Sequence, residues 1–391
     1  MSENRIASRV CLLESSPIRR IATIAQDLIS QGIDICNLTI GRPDFDTPAH
    51  IKKAAIDAME QGKVHYSPTS GEKVFREAVS HRLKADDGVY YSPDEIIATM
   101  GGGEGGYAVL ASLVNPGDEV IVASPMYPYY KGWTSLCGGT LVSLPLTGKE
   151  FEVDIERLKK IITPKSRVLI LTSPHNPTGK IWKRPVLENI AQICAKHDIT
   201  VLYDNIYSSF VYEGNKAFNI ASLDGMKERT VIVASFSKTY AMDGWRIGYI
   251  AAPRSLIEGI TKMHQHLVSC ANTFVQIAAA HALEASQDCV EDIRQEFDRR
   301  RKMVMKYMDE MGLSCPRPEG SFFVFPSIEK YGMTSLDFAH FLIEKAHVAT
   351  VPGSAFGEGG EYHVRLAYTI SCDLMQPGLE RMKTCLLSLE K

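Results

Sequence analysis

Ser235-Phe236-Ser237-Lys238, followed by Gly244-Trp245-Arg246-Ile247-Gly248-Tyr249, sets one lysine between hydroxyl groups and an arginine. A lysine amine attacks a carbonyl carbon only as the neutral base, and a cation on the same loop lowers its proton affinity. Lys238 therefore suits the Schiff-base attachment of an aldehyde cofactor. Ser235 and Arg246 are placed to hold an anionic group of that cofactor. Taken alone, the same residues also describe a solvated lysine at a strand end.

Other segments add complementary chemistry. Gly101-Gly102-Gly103-Glu104-Gly105-Gly106 follows a strand ending at Met100 and leads into the helix-like Tyr107–Ala111. Exposed amides at a glycine-rich helix start cradle phosphate. The run also satisfies a dinucleotide-binding pattern, but that reading needs an acid at the end of the next strand. Glu119–Ala123 ends instead in Ser124-Pro125. The turn-forming run Ser173–Gly179 presents the Asn176 amide at a strand end. In Tyr203-Asp204-Asn205-Ile206-Tyr207, Asp204 supplies the carboxylate that a protonated pyridine ring needs, or else caps a helix. Arg365, within the strand-like His363–Ala367, is costly to bury unpaired and predicts a carboxylate partner, from the protein or from a substrate. No metal-binding spacing accompanies these residues, and the nine cysteines contain no Cys-x-x-Cys pair.

One scaffold must bring these residues together. Ile96–Thr99, Val120–Ala123, Val168–Leu171, Val201–Tyr203, Val231–Val233 and Ile247–Ile250 are short apolar runs alternating with helical patterns. The pattern predicts an α/β fold with a mostly parallel central sheet buried between helices. Ligands of such sheets lie beyond the carboxyl ends of the strands, where the residues above fall. Helix-like Leu256–Met263 and Phe274–Leu283 follow, then a long charged stretch, Val290–Met311, as a bridge. Strand Phe322–Phe325, helix Ser335–Lys345, strands at Thr350-Val351 and Val364–Tyr368, and helix Met375–Leu387 form a smaller α+β unit. The expected division is residues 1–46 as a segment contributing to the small domain, 47–288 as the large cofactor-binding domain and 289–391 as the small C-terminal domain.

The 391 residues are 45% hydrophobic with a formal net charge of -3, so large cores are expected and a nucleic-acid or anionic-membrane role is not. Val10–Leu13 is an apolar patch too brief for a signal peptide, broken by Glu14, and no apolar run approaches the ~20 residues of a membrane span. An odd number of scattered cysteines suits the reduced thiols of a cytoplasmic protein.

At these residues the chain resembles the class I/II aminotransferases, the aspartate aminotransferase-like, fold-type I enzymes that use pyridoxal 5'-phosphate (PLP). The likeness runs from Asn37–Phe45 to the C-terminal strand and helix. Asn176-Pro177-Thr178-Gly179 and Ser-x-Ser-Lys with Gly-Trp-Arg-Ile-Gly are its specific motifs. It implies that Lys238 carries the cofactor, Asp204 pairs with the pyridine nitrogen, and Tyr207 and Asn176 bind the ring's phenolic oxygen. Tyr127 would stack on the ring. Amides of Gly102 and Gly103, with Ser235 and Arg246, would hold the phosphate, and Tyr66 would reach it from the partner across a homodimer interface. Gly41, Asn176 and Arg365 would hold the substrate α-carboxylate.

The implied reaction moves an amino group between an amino acid and a 2-oxo acid by a ping-pong mechanism. Elimination, cyclisation and oxidative deamination are the alternatives on the same scaffold. A charge-assisted hydrogen bond is worth about 1.5–3 kcal/mol and a helix terminus about 0.3–1 kcal/mol, so Arg246 should outweigh the glycine run for phosphate. The chain departs from the family pattern at Gly103, often Lys, Ser or Thr, at Asn205, often Glu, and at His175, often Asn. Glu104 adds an anion that either weakens phosphate binding or points away. Tyr127, Tyr129, Tyr130 and Trp133 crowd one segment, and Ser16–Arg20 is placed to close over the site. These residues fit a large or aromatic substrate side chain, or the packing of a dimer interface.

Overall fold

Apolar side chains on both faces of each pleat drive the central runs into one sheet with helices on either side. The protein was analysed as a computed structural model that describes residues 6–13 and 17–389. Met1–Arg5, the Glu14 break and Ser16, at the start of the closing segment, lie outside the described residues.

The strands are β1 (Cys36–Asn37), β2 (Ile96–Thr99), β3 (Glu119–Ser124), β4 (Thr140–Pro145), β5 (Ser166–Thr172), β6 (Thr200–Asp204), β7 (Thr230–Ser235) and β8 (Gly248–Ala251). After them come β9 (Phe323–Val324), β10 (Val348–Ala349), β11 (Val351–Pro352) and β12 (Val364–Ala367). The seven-stranded sheet has the order β2-β8-β7-β6-β5-β3-β4. Its pairs are parallel except where β8 runs against β2 and β7. Alternate residues divide between the faces. Val120, Val122, Val168, Ile170, Val231 and Val233 bury one face, while Ile121, Ala123, Leu169, Leu171 and Val201 bury the other. The Gly102–Leu113 and Arg254–Val268 helices cover the first face. Thr273–Glu284, Ala49–Glu60, Lys73–Asp87 and Arg184–Lys196 cover the second. β4 escaped the sequence reading because it is an edge strand, half-exposed along most of its length, and so lacks a continuous buried run.

The C-terminal unit holds the antiparallel sheet β11-β12-β9. β1 pairs in parallel with β10, which carries the N-terminal segment onto this unit. The Asp288–Glu310 helix lays Phe297 against Phe210 and Phe322, and its outer face carries ion pairs such as Arg294–Glu291 and Lys302–Asp298. Buried Arg300 reaches from this helix to Asp44 at 2.8 Å and to the Thr369 carbonyl at 2.8 Å, which ties the N-terminal segment to both. Among the described residues, no helix is long and apolar enough to cross a membrane.

The glycine run differs from its expected form. The helix starts at Gly102, five residues before Tyr107, and only Gly101, at φ +84°, remains as the turn that needs a left-handed residue. The small residues serve close packing. A Cβ on Gly106 would lie 2.5 Å from the Trp133 ring, so this glycine lets the indole rest on the helix.

Candidate active site

β2, β3, β5, β6 and β7 all run in one direction, so their carboxyl ends share one edge of the sheet. The loops beyond that edge build a cavity of about 370 Å³ lined by Gly41, Gly102, Gly103, Tyr127, Asn176, Asp204, Tyr207, Lys238 and Arg365. Nine of the twelve site residues named from sequence thus meet in one place.

Lys238 sits in the short Phe236–Thr239 helix, which begins because the Ser235 hydroxyl caps it by accepting the Ser237 amide. Its Nζ donates to the Gly41 carbonyl at 2.6 Å. Burial, opposed by Asp243 and assisted by Arg365, Arg246 and Arg42, pulls the lysine down to about 8. Asp204 ends β6 in the floor of the cavity. Its Oδ2 accepts from the Tyr130 hydroxyl at 2.5 Å and its Oδ1 from the Ile206 amide at 3.2 Å. Burial raises this carboxyl to about 6 despite both donors, and no described cation pairs with it.

Arg365 on β12 is 3% exposed. It donates to the Asn176 Oδ1 at 3.2 Å and the Thr39 carbonyl at 2.7 Å, and it lies over the Phe323 and Phe356 rings. Its Nε has no partner, and no described carboxylate pairs with it. Of the two expected partners, a protein acid is therefore absent among the described residues. The Asn176 amide nitrogen donates to the Tyr207 hydroxyl at 3.5 Å, so one side chain spans Arg365 and the phenol. His175 braces this turn through the Thr178 hydroxyl at 2.8 Å, and burial pushes it down to about 3, which keeps the ring neutral.

Three expected residues lie outside this cavity. The Ser235 hydroxyl turns to Ser237 at 2.9 Å and lines a separate polar cleft that also holds Asn205. The Arg246 guanidinium packs on Gly101 and donates to the Met100 carbonyl at 3.3 Å, beside the start of the Gly102–Leu113 helix. Tyr66 is 92% exposed. Glu104 points away from the cavity: its Oε2 accepts the Met100 amide and its Oε1 meets buried His264 at 2.9 Å.

Sequence reading grouped Tyr130 with the substrate-side aromatics, whereas its hydroxyl bridges Asp204 and Thr172. Its spacing of three from Tyr127 was the available signal. Thr39 was missed because it acts through its carbonyl, which residue type does not reveal. Ile18 and Arg19 line the cavity, so the described part of the closing segment does reach the site.

A lysine amine, a carboxylate with no described cation, open helix-start amides and a guanidinium with no described carboxylate match, in turn, an aldehyde, a pyridine nitrogen, a phosphate and a substrate carboxylate. The residues present therefore fit pyridoxal phosphate, and the fold and site define a fold-type I PLP enzyme. A family model for class I and II aminotransferases matches residues 33–382. The chain is 40% identical over 385 residues to an aspartate aminotransferase of Pyrococcus abyssi, covering 97% of this chain and 98% of that one. It is also 40% identical over 386 residues to aromatic-amino-acid aminotransferase 2 of Thermococcus litoralis, with 97% and 98% covered. Its structure matches the Thermus thermophilus aspartate aminotransferase with maleate at a TM-score of 0.94, with 34% identity and 98% and 100% of the chains covered. The chain belongs to the class I and II aminotransferase family, and it is a PLP-dependent aminotransferase.

The raised Asp204 carboxyl has a thermodynamic consequence. Unfolded, it ionises near 3.8; folded, near 6. Between these values the folded form holds the extra proton, so stability falls as pH rises through the window and stays lower above it. Asp204→Asn should stabilise the cofactor-free protein at pH 8, on the order of 3 kcal/mol, and bring no gain near pH 3. Thermal unfolding at both pH values measures this, and an equal gain at both would remove the ionised, buried carboxylate from the account.

Proposed function

We propose that Lys238 is the catalytic amine of this aminotransferase, with Asp204 and Tyr207 as its partners in catalysis and Arg365 as the anchor of the substrate α-carboxylate. The observation that carries this reading is Arg365: a buried guanidinium with no carboxylate partner among the described residues, facing the cavity that holds the Lys238 amine. Pyridoxal phosphate, when bound, supplies an aldehyde carbon that takes up amino groups and a ring that withdraws the electrons left at Cα.

The chain's own groups do the rest. An ordinary lysine at pH 7.5 is neutral in roughly one molecule in a thousand, whereas one at about 8 is neutral in a substantial share. Lys238 is thus able to act as a nucleophile and, once free, as the base that removes and returns the Cα proton. The Gly41 carbonyl aims its Nζ. Asp204 stays ionised against a protonated pyridine nitrogen because that charge offsets the burial that otherwise raises it, and Tyr130 holds its orientation. Tyr207 and Asn176 bind the phenolic oxygen, and Tyr127 covers the ring. Arg365, Asn176 and Gly41 orient the amino acid or 2-oxo acid.

Gly102, Gly103, Ser235 and Arg246 are assigned to the phosphate, supported by Arg246 lying against Gly101 where the helix begins. Tyr66 is assigned to the same phosphate in a partner subunit. Support comes from its exposure beside exposed Val64 in a surface cleft that Val268 and Phe274 also line, an apolar patch of the kind that seeks a second copy. A cytoplasmic location is supported by nine cysteines of which none is joined in a disulfide.

Borohydride treatment of the loaded enzyme should fix the cofactor to Lys238, read by peptide mass spectrometry; attachment to another lysine would end the assignment. Mixing Lys238→Ala subunits with Tyr66→Ala subunits should restore PLP affinity and turnover at one site per mixed dimer. No recovery in confirmed mixed dimers would return Tyr66 to its own subunit. Thiol titration of freshly extracted, denatured protein without reductant should count nine, and a count of seven or fewer would oppose the reducing compartment.

A further inference from the structure

The cavity holding Lys238 has a neighbour. Arg19, Tyr129 and Trp133 line it and also line a second cavity of about 850 Å³. Leu12, Leu13, Met126, Leu136, Ala355 and Phe356 form the apolar walls of that second space. No acidic side chain lines it among the described residues, and Arg19 and Arg20 at its margin are exposed. Trp133 stands where the two spaces meet. Its indole rests on Gly106, where a Cβ would come within 2.5 Å, and its ring packs edge to face on Tyr130 at 5.7 Å, Tyr129 at 6.1 Å and Tyr127 at 6.4 Å.

We infer that the two cavities form one substrate site, and that the amino acids it accepts carry long apolar or aromatic side chains reaching past Trp133. The inference rests on the assignment of Arg365 to the α-carboxylate. Lys238 and Arg365 are committed to the reacting end, and Gly103 contributes no side chain to the cavity. A distal carboxylate would therefore meet only Arg19, Arg20 and Lys131, all exposed and screened by salt. An apolar side chain, by contrast, gains with every methylene it buries, out of the first cavity and along Trp133 into the second. Trp133 guides the chain with a rigid face, and Gly106 sets where that face stands.

Calorimetric titration of the holoenzyme with 3-phenylpropanoate, 5-phenylpentanoate and 7-phenylheptanoate, with succinate as the acidic probe, tests this without turnover. Full burial tightens binding about fourfold per methylene, so the longest acid should bind at least about 30-fold tighter than the shortest, and succinate most weakly. Affinity that peaks at 3-phenylpropanoate, or succinate binding tighter than the phenyl acids, would overturn the inference. Leu136→Asp, and the cavity-filling Leu136→Trp should the first not fold, should collapse the long-to-short affinity ratio towards one. A ratio unchanged in either variant places the gain outside the second cavity and also overturns it. Arg365→Met separates the underlying assignment: it should weaken all the phenyl acids by about the same factor. If it leaves 3-phenylpropanoate binding as in the wild type, the carboxylate anchor fails whatever the length series shows.

Discussion

A guanidinium buried with no counter-ion among the described residues is the constraint on which the rest of this structure depends. Water would solvate Arg365 strongly, so removing it from water is affordable only where oriented dipoles replace that shell. The Thr39 carbonyl, the Asn176 amide oxygen and the faces of Phe323 and Phe356 do so. These groups come from the N-terminal segment, the turn after β5 and the C-terminal unit. The charge can be housed only when all three have met, and its Nε is still left without a partner.

Asp204 and Lys238 follow the same logic. Each is held away from its ordinary protonation behaviour chiefly by burial, and each sits at the carboxyl edge of a strand whose two faces are covered by helices. Rigid apolar packing thus supplies the low-dielectric setting, and the loops supply a few directed hydrogen bonds. The proposed chemistry draws on both: burial makes the amine available as a base, and pairing the buried carboxylate with a ring cation would offset the cost of its burial. Glu104 shows how a nearby anion is kept out of this balance, since the Met100 amide and His264 hold its carboxylate away from the cavity.

Much was legible before any coordinates. The continuous apolar runs predicted the strands of the buried sheet because burial on both faces demands it, and Ser335–Lys345 matched its helix end for end because Thr334 caps it. The edge strand β4 was not legible, since exposure removes the apolar run that betrays a central strand. The early start of the Gly102–Leu113 helix was also hidden. Glycines carry low helix propensity, and here they are helical with Trp133 packed on Gly106 and Glu104 accepting the Met100 amide just ahead of the helix.

The residue types and their order determined the chemistry available here: one lysine among hydroxyls and an arginine, acids and amides at strand ends, and motifs specific to the aminotransferases. Local physics suffices for that, because strand ends and helix starts follow from short-range patterns. The tertiary structure alone decided which of those groups face each other. It gave Tyr130 to Asp204, turned Glu104 to His264, left Arg365 without an acid among the described residues and opened a second cavity beside the first. Those outcomes depend on side-chain directions and burial set by segments hundreds of residues apart, such as Thr39 and Arg365, and no spacing along the chain encodes them.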